Sequence, residues 1–459
     1  MTATQRAAQG ATQSTTPGAK PHATPVDPVT VFRVMGAIED LSSAERQALF
    51  DRGQAPDDQV GERTAAIIRR VRADGDRALR ELAREFDGVT LEHLEVPRAV
   101  WRASAAAIGS GLRSALDRAA RNIRRAHEAW RPVGVETETE PGVIVGRRPD
   151  PVARVGIYAP GGRALYPSSV LMGAVPARVA GVNEVVLCSP PGPTGAPAPI
   201  VLAAAELAGV DRVFAIGGAG AIAALAYGTE SVPQVDRIVG PGNAYVAAAK
   251  IQVSSIVGID APAGPSELLV VADDTAPADV VAREVLAQAE HDPDAAVIVV
   301  ATDAATAAAI GRAVQRLLSL EARAGIIAAS LAARGALLIA ASVADALRFA
   351  NDWAPEHLLL AVAEPASVLA AVRNAGTVCL GPASSVVFGD YLTGANHVLP
   401  TGGSGRRYSG LSTQDFVRWT TYQRVTEAAA RSLADDVAAL ADAEGLSAHA
   451  GAARQWLAQ

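Results

Sequence analysis

From Pro151 onward, short runs rich in β-branched residues alternate with alanine-rich stretches, and this alternation restricts the possible folds more than any other feature of the sequence. A first series of runs comprises ARVGIYAP, NEVVLCSP, DRVFAIGG and DRIVGPGN, and a second comprises ELLVVADD, AAVIVVATD, GALLIAAS and HLLLAVA. Strands that alternate with helices at this spacing form parallel sheets with helices on both faces. The sequence therefore predicts an α/β protein with two doubly wound, Rossmann-like parallel-sheet domains.

The two ends of the chain have other patterns. Apolar residues recur at three- and four-residue spacing in RTAAIIRRVRADGDRALRELAREF, which predicts a helical N-terminal segment that ends near Trp130. The stretch from about Leu411 predicts helices only, and thus a helical C-terminal arm. The first residues lack an apolar core, which favours a disordered tail over a secretory signal. The expected divisions are 1–28 for the tail, 29–157 plus 267–410 for the first α/β domain with its helical N-terminal segment, 158–266 for the second α/β domain, and 411–459 for the arm.

Charge and composition exclude several classes of protein. The formal net charge is −7 and no block of Lys and Arg stands out, so a nucleic-acid partner is not expected. No apolar run reaches the roughly 18 residues that a membrane span requires, so no membrane partner is expected either. Cys188 and Cys379 lie far apart and outside any C-x-x-C motif. We therefore expect two reduced, buried thiols in a cytoplasmic protein.

Glycine-rich turns follow three consecutive strands of the first series. They lie at residues 160–162, 217–218 and 240–243, where backbone N–H groups can approach a ligand closely. Ligands of parallel sheets bind at the carboxyl ends of the strands, so these turns predict a dinucleotide cleft. The string GAGAIA from Gly218 also fits G-x-G-x-x-G/A, but Asp236 comes early for the acidic partner of that motif. Chains rich in Ala and Gly produce such strings by chance.

Several polar groups in the second half of the chain could carry chemistry. Gln288 and His291 are three residues apart near the end of a helix, where a cation is favoured, although a surface Gln with a His that offsets the helix dipole fits as well. Glu356 and His357 follow Pro355 at the start of a strand. They could act as carboxylate and proton acceptor, or belong to a solvated loop.

Other histidines lie in less informative settings. Asp390 and His397 lie in the turn-rich stretch GDYLTGANH, and Glu444 and His449 lie near the C-terminus. Two more histidines, His93 and His127, lie in charged helical stretches and are expected on the surface.

Taken together, these strings resemble one family. GIYAPGG, VVLCSPP, GPGNAYVAAAK, DAPAGPSELLVVAD, AQAEH, APEHLLL, GDYLTGANHVLPT and EGLSAH occur in the order and spacing of histidinol dehydrogenases. RADGDRALRELAREFDGV resembles the N-terminal signature of that family. The resemblance extends from about residue 30 to residue 450 and favours the functional interpretation of each group over the structural one.

The resemblance implies one zinc ion per active site. The ligands at the matching positions are Gln288 and His291 of AQAEH, Asp390 of GDY and His449 of EGLSAH. A mixed set of oxygen and nitrogen donors suits zinc. In the family the last histidine comes from the second subunit of a homodimer, so we expect His449, with Glu444, to act in the partner's site.

The resemblance also implies a reaction. L-histidinol is oxidised to L-histidine in two NAD⁺-dependent steps, with histidinal held in the site between them. His357 would be the general base of both oxidations, and Glu356 would activate the water that hydrates the aldehyde. Ser266, His397 and Glu444 match substrate-contact positions of the family, and the Glu444 carboxylate suits the ammonium group of histidinol. The zinc ligands and His357 would contact the substrate as well.

For NAD⁺, Tyr158 of GIYAPGG and Asn243 of GPGN match the contacts of the family. One position departs from its pattern, because the chain has Gly220 where the family usually has a Gln that touches the cofactor. The change removes one side-chain hydrogen bond, worth roughly 0.5–1.5 kcal/mol. We therefore expect weaker NAD⁺ binding or a shifted cofactor position, with the chemistry retained.

Two other functions fit part of this pattern. A relative that acts on another substrate, such as a sulfonated diol, should have a basic residue where this chain has Glu444. A zinc-bridged dimer that binds ligand without turnover should have lost Glu356, His357 or a zinc ligand, and all are present.

Overall fold

The computed structural model of the protein describes residues 31–52, 58–161 and 165–458. The tail expected over residues 1–28 lies outside the described residues. No helix within the described ranges is long and apolar enough to cross a membrane.

Strands and helices alternate along most of the described chain. The strands are β1 (Val34–Ala37), β2 (Val135–Glu140), β3 (Val143–Pro151), β4 (Arg154–Tyr158), β5 (Glu184–Ser189), β6 (Arg212–Ala215), β7 (Arg237–Val239), β8 (Gly258–Ile259), β9 (Glu267–Ala272), β10 (Ala296–Ala301), β11 (Ala336–Ile339), β12 (His357–Ala361), β13 (Thr377–Leu380) and β14 (Val417–Val425). The helices are α1 (Ser43–Phe50), α2 (Asp58–Leu82), α3 (Arg98–Ala107), α4 (Ser110–Ala129), α5 (Pro167–Ala180), α6 (Pro199–Ala208), α7 (Gly218–Tyr227), α8 (Ala244–Val253), α9 (Ala278–Ala289), α10 (Ala304–Leu318), α11 (Ala324–Arg334), α12 (Val343–Trp353), α13 (Pro365–Val368), α14 (Val386–Tyr391), α15 (Glu427–Ala443) and α16 (Ser447–Arg454).

The six-stranded sheet is parallel throughout, in the order β1-β11-β10-β9-β12-β13. Successive side chains of a strand point to opposite faces of the sheet. Along β9, Leu268 and Val270 enter one buried cluster, whereas Leu269 and Val271 enter another. Each face of this sheet is therefore covered, as continuous apolar runs such as ELLVVA predict.

The five-stranded sheet is also parallel, in the order β6-β5-β4-β7-β8. Val155 and Ile157 of β4 are fully buried in its core. Ile68 of α2 and Ile123 of α4 belong to the same cluster, so the N-terminal helices pack on this second sheet. The α/β fold with two doubly wound parallel sheets is confirmed.

The expectation of helices only after Leu411 is wrong, because β14 covers nine residues of this stretch. It pairs antiparallel with β3 from Val417↔Pro151 to Val425↔Val143, and β2 completes a three-stranded sheet. The segment VRWTTYQRV is rich in β-branched and aromatic residues, which favour a strand. Helices α15 and α16 follow it and form the C-terminal arm.

Two further elements lie differently from the sequence-based division. The N-terminal segment expected to be helical contains β1, whose partner β11 lies about 300 residues later and leaves no local sequence signal. The expected boundary between residues 157 and 158 falls within β4, which belongs to the second sheet. The stripe of apolar residues on α2 predicts a buried face but not which sheet it covers.

Candidate active site

Glu356 and His357 lie at the amino end of β12. Helix α12 ends at Trp353, and Ala354 then has a φ of 52°, the one positive φ of a non-glycine residue in the described chain. Pro355 cannot donate a helical hydrogen bond and disfavours helix before it, so the chain turns into β12 here. Glu356 and His357 are each 5% exposed.

The His357 imidazole lies between a backbone carbonyl and two carboxylate oxygens. Its Nδ1 is 3.0 Å from the carbonyl oxygen of Glu267 and 3.6 Å from Oε2 of Glu356, and its Nε2 is 3.5 Å from Oδ1 of Asp390. Burial lowers the pKa of His357, but the charges of Glu356 and Asp390 outweigh burial and raise this pKa to about 10. The ring is thus held through Nδ1, and its Nε2 faces the Asp390 carboxylate.

Asp390 lies in α14, and its carboxylate is ionised. Burial raises the pKa of Asp390, but hydrogen bonding to His357 and the charges of His357, His397 and His291 lower it further than burial raises it. His291 is therefore close enough to influence Asp390. It lies just beyond the end of α9 at Ala289.

Gln288 lies in the last turn of α9 and is 3% exposed. Its side-chain amide has no hydrogen-bond partner among the described residues. On the same helix, one turn earlier, Glu284 accepts a hydrogen bond from the backbone N–H of Val386, the first residue of α14. The helix that carries Gln288 is therefore joined to the helix that carries Asp390.

His449 lies away from this group. It is exposed on α16 and lines an apolar cavity of about 680 Å³ between α15 and α16. No three His, Cys, Asp or Glu side chains within residues 31–52, 58–161 and 165–458 could together hold a metal ion. Within a single chain, Asp390 therefore lies near the end of α9, whereas His449 is not part of this group.

The three substrate-contact candidates lie in different settings. Ser266 is half-buried immediately before β9, and Glu444 is exposed at the end of α15. His397 has both ring nitrogens engaged, since Nδ1 is 2.9 Å from the Asp390 carbonyl oxygen and Nε2 is 3.1 Å from Oγ of Ser169. His397 therefore joins α14 to α5 and is not free to hold a ligand in this state.

A second cavity, of about 1200 Å³, lies at the carboxyl ends of the second sheet. Tyr158, Gly220 and Asn243 all line it. The hydroxyl group of Tyr158 accepts a hydrogen bond from the Gly218 N–H at 3.1 Å, and burial raises the pKa of Tyr158 to about 12. Asp236 does not line this cavity, and its carboxylate accepts the backbone N–H of Arg154 at 2.8 Å.

Gly220 and Asn243 are placed by local packing. Asn243 caps α8, because its Oδ1 accepts from the Val246 N–H at 3.1 Å. A Cβ at Gly220 would lie 3.0 Å from Cδ1 of Leu82 and 3.5 Å from Cδ2 of Leu79. Helix α2 therefore approaches α7 closely at Gly220.

Sequence analysis missed two residues of the site, Glu267 and Arg52. Glu267 contacts both Glu356 and His357. The only indication of this role in the sequence is a carboxylate as the first residue of an otherwise apolar strand. Arg52 pairs with Glu267 but belongs to no motif. Outside the site, His127 was expected on the surface but is fully buried, with its ring against that of Trp130.

Comparison with known proteins identifies relatives over nearly the whole chain. Residues 50–456 match the family model described as histidinol dehydrogenase. The histidinol dehydrogenase of Methanosarcina barkeri is 45% identical over 425 residues, which cover 92% of this chain and 98% of that protein. That of Halobacterium salinarum is 48% identical over 415 residues, 90% of this chain and 97% of that protein. The crystal structure of histidinol dehydrogenase from Elizabethkingia anophelis superimposes with a TM-score of 0.89 at 34% identity, and covers 93% of this chain and 98% of that one.

Proposed function

The chain belongs to the histidinol dehydrogenase family of NAD-dependent oxidoreductases, and from this premise we propose that it oxidises L-histidinol through bound L-histidinal to L-histidine, with two NAD⁺ reduced. This is the last step of histidine biosynthesis. The observation that carries the proposal is the setting of His357, a buried imidazole fixed through Nδ1 beside two carboxylates.

The proposed proton transfers follow from this setting. The Glu267 carbonyl holds Nδ1, so Nε2 is the nitrogen that takes the proton of the substrate hydroxyl group. NAD⁺ supplies the hydride acceptor of each oxidation. The Oε2 atom of Glu356 accepts the Glu267 N–H at 2.7 Å, which leaves Oε1 to activate the water that hydrates the aldehyde. His357 then takes the hydroxyl proton of the hydrate in the second oxidation.

Gln288, His291 and Asp390, with His449 of the second subunit, would hold zinc. The residues present fit the ion, because Asp390 is ionised and the buried Gln288 amide has no partner within the described residues. Oxygen and imidazole nitrogen donors suit zinc. The ion would act there as a Lewis acid that holds and orients the substrate.

A homodimer is supported by the arm itself. Val437, Leu440 and Leu446 are 45%, 69% and 43% exposed, and the apolar cavity lined by His449 adjoins them. Apolar surface of this kind marks an interface. We propose that a second copy covers it and receives His449 and Glu444 into its own site.

NAD⁺ would occupy the cavity of about 1200 Å³. Tyr158, Asn243 and the turn at Gly217–Gly218 line it, and backbone N–H groups at the start of α7 favour phosphate groups. We further propose a cytoplasmic location, which agrees with free thiols at Cys188 and Cys379.

The proposed reaction is tested by its stoichiometry. We expect two NADH per L-histidinol consumed by the purified zinc-loaded protein, lost after chelation and regained with zinc. A folded, metal-loaded protein that forms no NADH from histidinol would refute the proposal and direct attention to other alcohols, sulfonated diols first.

Mixed dimers test the sharing of the site. Subunits with His357→Asn or His449→Asn should each be inactive alone, whereas a mixed dimer would contain one site with both histidines intact. Random reassociation of equal amounts should restore about a quarter of the wild-type activity. No recovery, with exchange of subunits verified by mass, would show that His449 acts within its own chain or not at all.

A further inference from the structure

Glu267 contacts the catalytic residues through every polar group it has. Its backbone N–H donates to Oε2 of Glu356 at 2.7 Å, and its carbonyl oxygen is 3.0 Å from Nδ1 of His357. Its carboxylate accepts the backbone N–H of Glu356 at 3.3 Å and that of Gly402 at 2.8 Å. One residue thereby fixes the backbone of the catalytic pair, one carboxylate oxygen and one ring nitrogen.

Arg52 is the ionic partner of Glu267. Its NH1 atom is 2.7 Å from Oε2 of Glu267, and the two side chains are 5% and 2% exposed. The guanidinium also lies 3.5 Å from the centre of the Trp353 ring, and it donates to the Trp353 carbonyl oxygen. The Trp353 indole donates in turn to the Leu49 carbonyl at 2.9 Å, so the ends of α1 and α12 hold each other.

The segment between these contacts is strained. Ala354, with its φ of 52°, joins Trp353 to residues 355–357, which we call the catalytic segment. The left-handed region is unfavourable for an alanine and persists only where surrounding contacts enforce it. Arg52 holds the residue before Ala354, and Glu267 holds Glu356 and His357 after it. The two side chains therefore brace both ends of the strained turn.

We propose that the Arg52–Glu267 ion pair is a positioning device that sets the geometry of the catalytic segment. This inference rests on the proposed function, in which Glu356 and His357 carry the proton transfers. A buried ion pair is weak evidence for stability, because apolar residues of similar volume often stabilise as well. Because the pair contacts the backbone on both sides of Glu356 and His357, its role is to hold these two side chains in place, as catalysis by oriented groups requires.

The test compares turnover with binding in zinc-loaded Glu267→Gln, Arg52→Gln and the double variant. We expect kcat to fall about 10- to 100-fold in each single variant, as for residues that orient catalytic or metal-binding groups. Zinc content and the KM for NAD⁺ should stay at the wild-type values. Because the two residues act as one unit, the double variant should lose little more than the worse single one. Arg52→Lys keeps the charge but not the flat stacking, so its kcat should lie between those of Arg52→Gln and the wild type.

Leu331→Ala is the matched control. Leu331 is fully buried in α11 and takes part in none of the contacts of the catalytic segment described above, so this variant should lower thermal stability with an unchanged kcat. The inference is overturned if Glu267→Gln retains the wild-type kcat, or if its loss of turnover equals its loss of zinc or of folded protein. A wild-type protein that does not turn over histidinol would refute the proposed function, and this inference with it. If the wild-type protein turns over histidinol and the Glu267→Gln variant does so with the same kcat, only the positioning role is refuted.

Discussion

Replacement of His127 by leucine should remove an acid-sensitive element of the fold. His127 lies in α4 at 0% exposure, with its ring 5.0 Å from that of Trp130 at an angle of 73°. Neither ring nitrogen has a hydrogen-bond partner within the described residues. Burial lowers the pKa of His127 to about 4, so the folded protein keeps this imidazole neutral at a pH where the unfolded chain protonates it.

The sign and size of the effect follow from this pKa. Between about pH 6.5 and pH 4 the unfolded state binds the proton and the folded state does not, so stability falls as the pH falls through this window. For a folded pKa of about 4 and an unfolded pKa of about 6.5, the loss is about 2 kcal/mol at pH 5 and about 3 kcal/mol at pH 4. Above about pH 7 the titration contributes nothing.

The assay is the free energy of unfolding from urea titrations of wild-type and His127→Leu protein, both loaded with zinc, from about pH 8 to pH 4.5. Other groups titrate equally in both proteins and cancel in the difference. The stability of His127→Leu relative to the wild type should grow by about 2 kcal/mol as the pH falls to 5. A difference that stays constant with pH would refute the inference that the folded protein holds this imidazole neutral.

Three further substitutions test the cofactor cavity, the zinc site and the buried charge. Gly220→Gln should lower the Kd for NAD⁺ about 2- to 10-fold, which corresponds to one hydrogen bond, and calorimetric titration that finds an unchanged Kd would contradict this. The same variant should lower the Tm, because its Cβ would lie 3.0 Å from Cδ1 of Leu82. Glu284→Leu removes the acceptor that joins α9 to α14, so the Kd for zinc should rise about 10-fold in competition with a chelating dye, and an unchanged Kd would show that the link does not matter. Lys250→Met leaves the Asp260 carboxylate buried without its ion pair and should lower the free energy of unfolding in urea by about 3–5 kcal/mol. Adding Asp260→Asn should recover part of this loss, and a double variant no more stable than Lys250→Met would count against the pairing.

Elements with strong local patterns were predictable from the sequence. Apolar runs such as ELLVVA are strands buried on both faces, and the glycine turns do lie around one cavity, because period and turn chemistry are properties of neighbouring residues. The short strand β1 and the arm strand β14 were predicted as helix, because their pairing partners lie far away in the sequence. Tertiary pairing overrides a weak local pattern.

The site shows the same division. Motifs led to Glu356, His357 and Asp390, which the structure brings together. Arg52 could not be found in this way, because its contact with Glu267 joins residues 215 positions apart. His127 was misplaced because its neighbours in the sequence are charged, whereas the packing of α4 against distant elements decides which of its faces is buried.

The edge strand β1 has a consequence for the order in which the chain folds. Its register pairs Val34 with Ala336, and Arg33 beside it bonds to the carbonyl of Ala333, 300 residues away. The second sheet, in contrast, draws its strands from one continuous stretch between β4 and β8. During synthesis at about 5–20 residues per second, β1 waits on the order of 15 to 60 seconds for its partner, while the second sheet can already close. The six-stranded sheet, which carries Glu356 and His357, is therefore expected to form after the five-stranded sheet.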